Sequence, residues 1–126
     1  MKAVITNSKL GKTVVFNDVL DEGYCDNKED RQYGTYKLKI VPDTDDPYPV
    51  FKLKDKLNFT IEKIDIFNMV KNENGEFEEV LVRSVTDKTS MIEITERTDS
   101  DLSKSTILNH KTDKFGLVHV VYVLFK

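Results

Sequence analysis

The sequence "IDIFNMVKNENGEFEEVLVRSV", residues 64–85, places Asn74 and Gly75 between two apolar runs. An Asn-Gly pair in this setting is the strongest short-range signal of a β-hairpin, because a type I′ turn requires positive φ at both of its central residues. The segment therefore predicts two antiparallel strands joined by a tight turn, and it favours an antiparallel β fold for the chain.

The register of this hairpin depends on the length of its loop. A two-residue loop pairs residues whose numbers sum to 149, which sets Met69 against Val80 and Lys71 against Glu78. A three-residue loop with a glycine bulge pairs residues whose numbers sum to 148, which sets Met69 against Glu79. We expect the two-residue loop, because it keeps one face of the hairpin apolar and places opposite charges across the strands near the tip.

The stretch after the hairpin continues the β pattern. Residues 86–90, "TDKTS", have the composition of a turn, and Ile92, Ile94 and Glu96 alternate as in a further strand. Residues 64–96 are therefore expected to form a three-stranded meander with an acidic tip.

Alternation of apolar and polar side chains recurs elsewhere in the chain. It appears in "TYKLKIV" (35–41), "VFKLK" (50–54) and "LNFTI" (57–61), which we expect to be half-buried strands. The apolar positions change from odd to even between Ile61 and Ile64. That change predicts either a β-bulge at residues 62–63 or a break between two strands.

The C-terminal run "GLVHVVYVLFK", residues 116–126, is almost continuously apolar. It is too short to cross a membrane, and its Val, Tyr and Phe content favours a strand buried on both faces. We expect this strand to be central in its sheet.

Other segments have the composition of connections. "VPDTDDPYPV" (41–50) contains all three prolines, and proline removes a donor from a β-ladder. Residues 20–34 are polar and predict a long surface loop. Further on, Ser100 or Asp101 could cap a short helix, and residues 106–108 could equally begin a strand.

These patterns predict a single β-rich domain over residues 1–126. We expect an antiparallel β-sandwich or a partly open β-barrel of about eight strands, with at most one short helix. The expected core consists of Val4, Val14, Phe16, Tyr36, Leu38, Ile40, Phe51, Leu53, Phe59, Ile61, Phe67, Met69, Val80, Val82, Ile92, Ile94, Val118, Val120, Tyr122 and Leu124.

Charge and cysteine usage limit the function classes. The net charge of −3 argues against a dedicated binder of duplex DNA. Residues 57–101 hold eleven acidic and five basic side chains, so the negative charge is concentrated around the hairpin. The single cysteine, Cys25, cannot form an intrachain disulfide, and the N-terminus lacks the apolar stretch of a signal peptide. We therefore expect an intracellular, cytoplasmic protein.

The sequence contains no catalytic motif. Three acidic side chains follow Cys25 within five residues, and their charge disfavours the thiolate that a nucleophile needs. His119 lies in the apolar C-terminal run, where a histidine is usually structural, and His110 lies in a polar segment. We expect no enzymatic activity.

No metal or cofactor site is expected. "DTDD", residues 43–46, offers carboxylates to Ca²⁺, but it lacks the glycine and the terminal glutamate of an EF-hand loop. One cysteine and two distant histidines cannot build a structural zinc site by themselves. The sequence also has no Gly-rich phosphate loop.

Binding of single-stranded nucleic acid is the main alternative function. A small β-barrel with a basic face and aromatic platforms is a common arrangement for binding oligonucleotides. Against it, strand lysines also serve simply to protect solvent-facing strands and sheet edges. The residues of this alternative face are Lys37, Lys39, Lys52, Lys54, Lys56 and Tyr48.

The leading hypothesis is a non-enzymatic protein that binds a protein partner through its acidic meander. A basic nucleic-acid-binding protein would suit the charge, and the small, Lys- and Asn-rich chain would suit an accessory or inhibitor protein of a phage or mobile element. A small ligand inside a β-barrel is a further alternative. The expected partner-binding residues are Glu73, Asn74, Glu76, Glu78 and Glu79.

Overall fold

The computed structural model describes residues 1–42, 48–100 and 112–126. Within these ranges the chain forms eight strands and one short helix. Their bounds, in chain order, are β1 (Lys2–Asn7), β2 (Lys12–Phe16), β3 (Val19–Tyr24), β4 (Tyr36–Ile40), α1 (Pro49–Lys56), β5 (Lys63–Lys71), β6 (Phe77–Val85), β7 (Met91–Asp99) and β8 (Val118–Phe125).

The strands form two four-stranded antiparallel sheets. Sheet A has the order β2-β1-β5-β6, and sheet B has the order β3-β4-β8-β7. Apolar side chains from both sheets share one core. The described strands do not close into a barrel, so the architecture is a β-sandwich and the predicted mostly-β fold is confirmed.

Strand β8 occupies the centre of sheet B, between β4 and β7. Its side chains Val121, Val123 and Phe125 belong to the core between the sheets. Those on its other face are buried as well, in a smaller cluster. The prediction of a central C-terminal strand buried on both faces is therefore confirmed. The smaller cluster contains Val118, Val120, Tyr122 and Leu124.

The predicted three-stranded meander is wrong. Strand β7 pairs with β8 in sheet B, whereas β6 pairs with β5 in sheet A. The chain crosses between the sheets at residues 86–90, and Ser90 then exchanges two backbone hydrogen bonds with Lys126. That pairing sets β7 alongside the strongly apolar β8, so the acidic segment is a hairpin and not a meander.

Residues 50–54 form part of helix α1, not the predicted strand. Pro49 occupies the first turn, where its missing N–H costs no hydrogen bond. Pro49, Leu53 and Leu57 are buried at intervals of four residues, as on one face of a helix, while Phe51 is 73 % exposed. Five residues are too few to distinguish the two-residue period of a strand from the 3.6-residue period of a helix. The predicted strand at residues 57–61 is also wrong, because this segment is the loop that follows the helix.

No bulge forms at residues 62–63. The Glu62 N–H donates a hydrogen bond to the Thr6 carbonyl at 2.9 Å, and β5 begins at the next residue. The apolar positions shift there because residues 57–61 are not a strand. The β5–β6 hairpin does contain a bulge, but it lies on β6, where Phe67 pairs with Leu81 and Ile66 pairs with Arg83. Val82 is the extra residue.

The structure divides the expected core into three groups. Phe16, Tyr36, Leu38, Ile40, Leu53, Ile61, Val118, Val120, Tyr122 and Leu124 are buried, as predicted. Val4, Val14, Phe59, Phe67 and Ile94 are only partly buried. The prediction is wrong for Phe51, Met69, Val80, Val82 and Ile92, which are exposed. Strand β1 turns Ala3 and Ile5 to the core in place of Val4, and three of the exposed residues lie on the part of the hairpin beyond the core.

The polar segment at residues 20–34 is only partly a loop. Strand β3 continues to Tyr24, and the loop that follows contains turns in which the side chains of Asn27 and Asp30 accept backbone N–H groups. The expectations for "DTDD", for His110 and for a helix or strand after Ser100 lie outside the described residues. No helix in the described ranges is long and apolar enough to cross a membrane.

Candidate functional site: the β5–β6 arm

The hairpin β5–β6 extends beyond its neighbouring strand. Strand β1 begins at Lys2, which pairs with Phe67, so no described residue pairs with β5 past that point except those of β6. Strand β6 forms the edge of sheet A. Going from the core toward the turn, Ile66 and Arg83 are the last paired residues of the hairpin before the bulge. We call residues 67–82 the arm.

The turn at the end of the arm is built by Asn72. Its N–H donates to the Glu76 carbonyl at 2.8 Å, and its carbonyl accepts from the Gly75 N–H at 3.0 Å. Its side-chain Oδ1 accepts from the N–H groups of Asn74, at 3.0 Å, and Glu76, at 2.9 Å. Gly75 has a φ of 81°. The loop therefore consists of residues 73–75 and closes with a glycine bulge.

The predicted two-residue loop and its register are wrong at the tip. Met69 faces Glu79, and Lys71 faces Phe77 instead of Glu78. The physical reason is the Asn72 side chain, which satisfies two backbone donors in the three-residue loop. Below the bulge, where Ile66 faces Arg83, the strands return to the register that had been expected for the whole hairpin.

A second turn of the chain has the same construction. Asp113 donates its N–H to the Leu117 carbonyl, and its Oδ1 accepts the N–H groups of Phe115 and Leu117. The backbone N–H of Leu117 is the main reason that the pKa of Asp113 is lowered. The shared signal is Asn or Asp three residues before Gly, at residues 72–75 and 113–116. The Asn-Gly pair alone does not reveal the contribution of Asn72, which this longer spacing would have indicated.

Exposed large apolar side chains are concentrated on the arm. Phe77 is 66 % exposed and Leu81 is 53 % exposed. Strand alternation places both on the outer surface of sheet A, beside Phe67, whereas Val70 and Val80 lie on the opposite face. The arm is therefore apolar on both faces, outside the shared core. Its exposed apolar residues are Met69, Val70, Phe77, Val80, Leu81 and Val82.

The four glutamates of the predicted partner-binding group are all exposed, but they differ in their contacts. The Glu79 carboxylate forms an ion pair with Lys2, and Glu78 accepts a hydrogen bond from Asn72 Nδ2 at 3.0 Å. Glu73 and Glu76 make no side-chain contact with charged or polar groups of the described residues. These two acids are free to meet a partner, while the other two help to hold the arm.

An inter-sheet cluster fixes the base of the arm. Arg83 forms an ion pair with Asp21 of β3, and its guanidinium lies 5.2 Å from the ring centroid of Tyr24 and 5.7 Å from that of Tyr36. Burial, followed by the charge of Asp21, raises the pKa of Tyr36. The neighbouring bulge places Val82 outside the ladder. The contacts of Arg83 with the other sheet thus hold β6 in place where the arm begins.

The alternative basic face is divided between two elements. Lys37 and Lys39 lie on β4, within 4.5 Å and 5.1 Å of the ring centroid of Tyr122. Lys39 is buried and forms ion pairs with Glu22 and Asp99. Burial disfavours the charge of Lys39, but hydrogen bonds with Tyr122 and Glu22, together with the charge of Glu22, act in the opposite direction, and the pKa of Lys39 is raised. This pair of lysines is a structural cluster.

The other three lysines lie on α1, not on a strand. Lys54 lines a groove of about 350 Å³ together with Tyr48, Phe51 and Glu96. It also borders a second groove, of about 520 Å³, beside Phe59. Lys52 and Lys56 are exposed on the same helix. The first groove combines two exposed aromatic rings with a single acid and a single base.

The histidine and cysteine of the described residues lie apart from the arm. His119 Nε2 is 3.1 Å from Asp113 Oδ2, and its Nδ1 is 3.8 Å from Glu96 Oε1. The side chain of His119 is half-buried at the end of sheet B, and Cys25 is half-buried in the loop after β3. No group of His, Cys, Asp and Glu side chains in the described ranges is arranged to hold a metal ion.

Comparison with models of protein families, with curated proteins and with solved structures finds no match to this chain.

Proposed function

We propose that this protein is a non-enzymatic binding protein that docks on a protein partner through the arm. The observation that carries the proposal is the exposed apolar surface of the arm. Burying a large apolar side chain contributes about 1.5–3 kcal/mol, so a hairpin that leaves several exposed gains stability when a partner covers them. Phe77 and Leu81 are the expected anchors, because they are the largest such side chains on the outer face.

The charges of the arm indicate a basic partner. Residues 67–82 carry four glutamates and a single lysine, and Glu73 and Glu76 have no partner among the described residues. Complementary charge accelerates association and opposes binding of acidic proteins. A nucleic-acid-binding protein fits this requirement, and an accessory or inhibitor role follows if the arm occupies its basic channel.

Capture experiments with matched variants test the proposal. The immobilised protein is exposed to a nuclease-treated extract of its own cells, and captured proteins are identified by mass spectrometry. Phe77→Ser and Leu81→Ser should reduce capture of the specific partner about tenfold or more, equivalent to about 1.4 kcal/mol. Phe115→Ser and Leu10→Ser are matched controls, because both side chains are exposed on turns away from the arm.

The charge requirement has its own variant. Glu73→Lys with Glu76→Lys should weaken capture and reduce its dependence on salt, because the carboxylates of these two residues contact no charged or polar group of the described residues. Glu29→Lys with Asp26→Lys changes charge by the same amount in the loop after β3, where both residues are exposed. Equal capture by the arm variants and by their controls would contradict the proposal, provided that circular dichroism shows all of them folded.

Single-stranded nucleic acid is a second candidate ligand, and the groove beside α1 favours it. Tyr48 and Phe51 expose aromatic rings next to Lys54, and bases stack on such rings at about 1–3 kcal/mol each. Fluorescence anisotropy with oligo-dT at low salt tests this function. Phe51→Ser should weaken binding if the groove is the site, and no binding by the wild type would eliminate it.

A further inference from the structure

We infer that the outer edge of β6, from Phe77 to Leu81, takes up an extended strand in which apolar and basic residues alternate. This inference rests on the proposed function and specifies how the partner binds. The mode is β-augmentation, in which a peptide adds a strand to a sheet edge through main-chain hydrogen bonds.

The backbone of the arm offers the required groups. The Asn72 N–H bonds to the Glu76 carbonyl, so residue 76 points its backbone groups at β5. Hydrogen-bonding direction alternates along an antiparallel strand, so residues 78 and 80 also point at β5. The N–H and C=O groups of Phe77, Glu79 and Leu81 therefore point outward, and no described strand pairs with them.

Between Phe77 and Leu81, before the bulge at Val82, this edge lacks the features that protect the other three edges. Strand β2 is short and begins with a lysine, and β3 is interrupted by a register shift at Gly23. Strand β7 has a register shift near Met91 and lies against α1. Lysines, bulges and covering elements are the usual defences of sheet edges. From Phe77 to Leu81 the ladder is regular, and its only charges are glutamates.

Side chains beside the edge define the strand that fits. On the outer face, Phe77 and Leu81 are apolar, and Lys2 already neutralises the glutamate between them. On the opposite face, Glu76 and Glu78 carry negative charge, and Val80 is an exposed apolar side chain. An added strand places its alternate side chains on these two faces. The fitting sequence therefore has apolar residues on the outer face and lysines or arginines on the other.

A second copy of this chain is a poorer occupant. If two β6 edges pair antiparallel with residue 78 or 79 on the two-fold axis, Glu78 of one copy lies opposite or diagonal to Glu78 of the other. Like charges so placed are destabilising. Charge complementarity thus favours a basic strand over self-pairing.

The probe is the peptide acetyl-Val-Lys-Val-Lys-Val-Lys-Val-amide, followed by amide hydrogen exchange of the full-length protein. The peptide should slow exchange at Phe77, Glu79 and Leu81 about tenfold or more, whereas Glu78 and Val80 are already protected by β5. Two control peptides define the mode. N-methylation of alternate amides should abolish binding, because it removes main-chain donors and keeps the side chains. Replacement of the lysines by glutamates should abolish it through repulsion.

A proline variant tests the edge in the protein itself. Glu79→Pro blocks an outward N–H without removing a bond to β5, and Glu79→Ala is its control for the lost carboxylate. Peptide binding should fall about tenfold or more in the proline variant relative to the alanine variant. The inference would be overturned if the two variants bound the peptide equally, or if the Val-Lys peptide did not bind at all. It would also be overturned if the peptide protected only other residues from exchange, or if the N-methylated peptide bound tightly.

These outcomes are separable from failure of the proposed function. If Phe77→Ser abolishes partner capture while Glu79→Pro and Glu79→Ala capture equally, the arm is the docking site but does not accept a strand. Concentration-dependent dimerisation that protects residues 77, 79 and 81 without peptide would assign the edge to a second copy and overturn the inference about a basic strand. If Phe77→Ser captures as well as the wild type, the proposed function itself fails.

Discussion

Asp21 of β3 and Arg83 of β6 form an ion pair between the two sheets, with Arg83 Nε 2.8 Å from Asp21 Oδ2. The Asp21 side chain is 7 % exposed and that of Arg83 is 35 % exposed. Arg83 faces Ile66 on the core side of the hairpin, so the pair lies where the core ends and the arm begins. We infer that it fixes the direction in which the arm leaves the sandwich.

Replacing Arg83 by methionine should destabilise the protein, because it leaves a buried carboxylate unpaired. Breaking a fully buried pair costs about 3–5 kcal/mol, and partial exposure of Arg83 lowers the expected loss to about 2–3 kcal/mol. Urea unfolding of Arg83→Met, Asp21→Asn and the double variant measures it. The double variant should lose less than the sum of the single losses, and simple additivity would show that the pair is not coupled.

Replacing Asn72 by alanine should loosen the arm without unfolding the sandwich. The side chain satisfies two backbone N–H groups of the turn, but the arm lies beyond the shared core. Amide exchange at residues 68–80 should therefore accelerate, while the global free energy of unfolding changes by less than about 1 kcal/mol. Asn74→Ala is the control, because only the backbone of Asn74 takes part in the turn. Equal acceleration by both variants would argue against the role of the Asn72 side chain.

The hairpin illustrates what the sequence could predict and what it could not. Asn74-Gly75 correctly located the turn, because glycine alone tolerates the backbone conformation at Gly75 without strain. The register depended on Asn72, whose contribution comes from side-chain hydrogen bonds that a residue pattern does not reveal. The two possible registers differ by a single residue. The register of the three-residue loop holds between the turn and the bulge at Val82, and the register of the two-residue loop holds on the other side of the bulge. The position of a bulge depends on the partner strand, so local sequence did not fix it.

Exposure on the arm was less predictable than the fold class. Alternation correctly placed Tyr36, Leu38 and Ile40 in the core, because neighbouring strands cover both ends of β4. The same pattern was misleading at Met69 and Val80, because β1 ends before it reaches them. Whether an apolar face is covered depends on the lengths of distant strands. The sequence located the acidic tip, but it could not show which glutamates are engaged in contacts. Glu79 is engaged because it pairs with Lys2, which is seventy-seven residues away in the sequence.

Helix α1 provides a direct test of the corrected core. Leu53 is buried and Phe51 is exposed, contrary to the pattern of a strand. Leu53→Ala should cost about 2–4 kcal/mol, because it removes buried methyl groups and leaves a cavity. Phe51→Ser should change the free energy of unfolding by less than about 0.5 kcal/mol, as is usual for surface substitutions. Denaturant titration of both variants decides the matter, and a larger loss for Phe51→Ser would favour the strand arrangement.

Alkaline pH should destabilise the protein through Tyr36. Burial, with the nearby Asp21 carboxylate, raises the pKa of Tyr36 in the folded state. A raised folded-state pKa contributes stability that is complete below the unfolded-state pKa, near pH 10 for tyrosine, and that is lost as pH rises above it. The free energy of unfolding should therefore fall as the pH rises from about 10 to about 11. Urea unfolding across this range should show a smaller fall for Tyr36→Phe, which has no proton to lose at this position. Tyr33→Phe, at an exposed tyrosine, should follow the wild type, and identical profiles for Tyr36→Phe and the wild type would contradict the prediction.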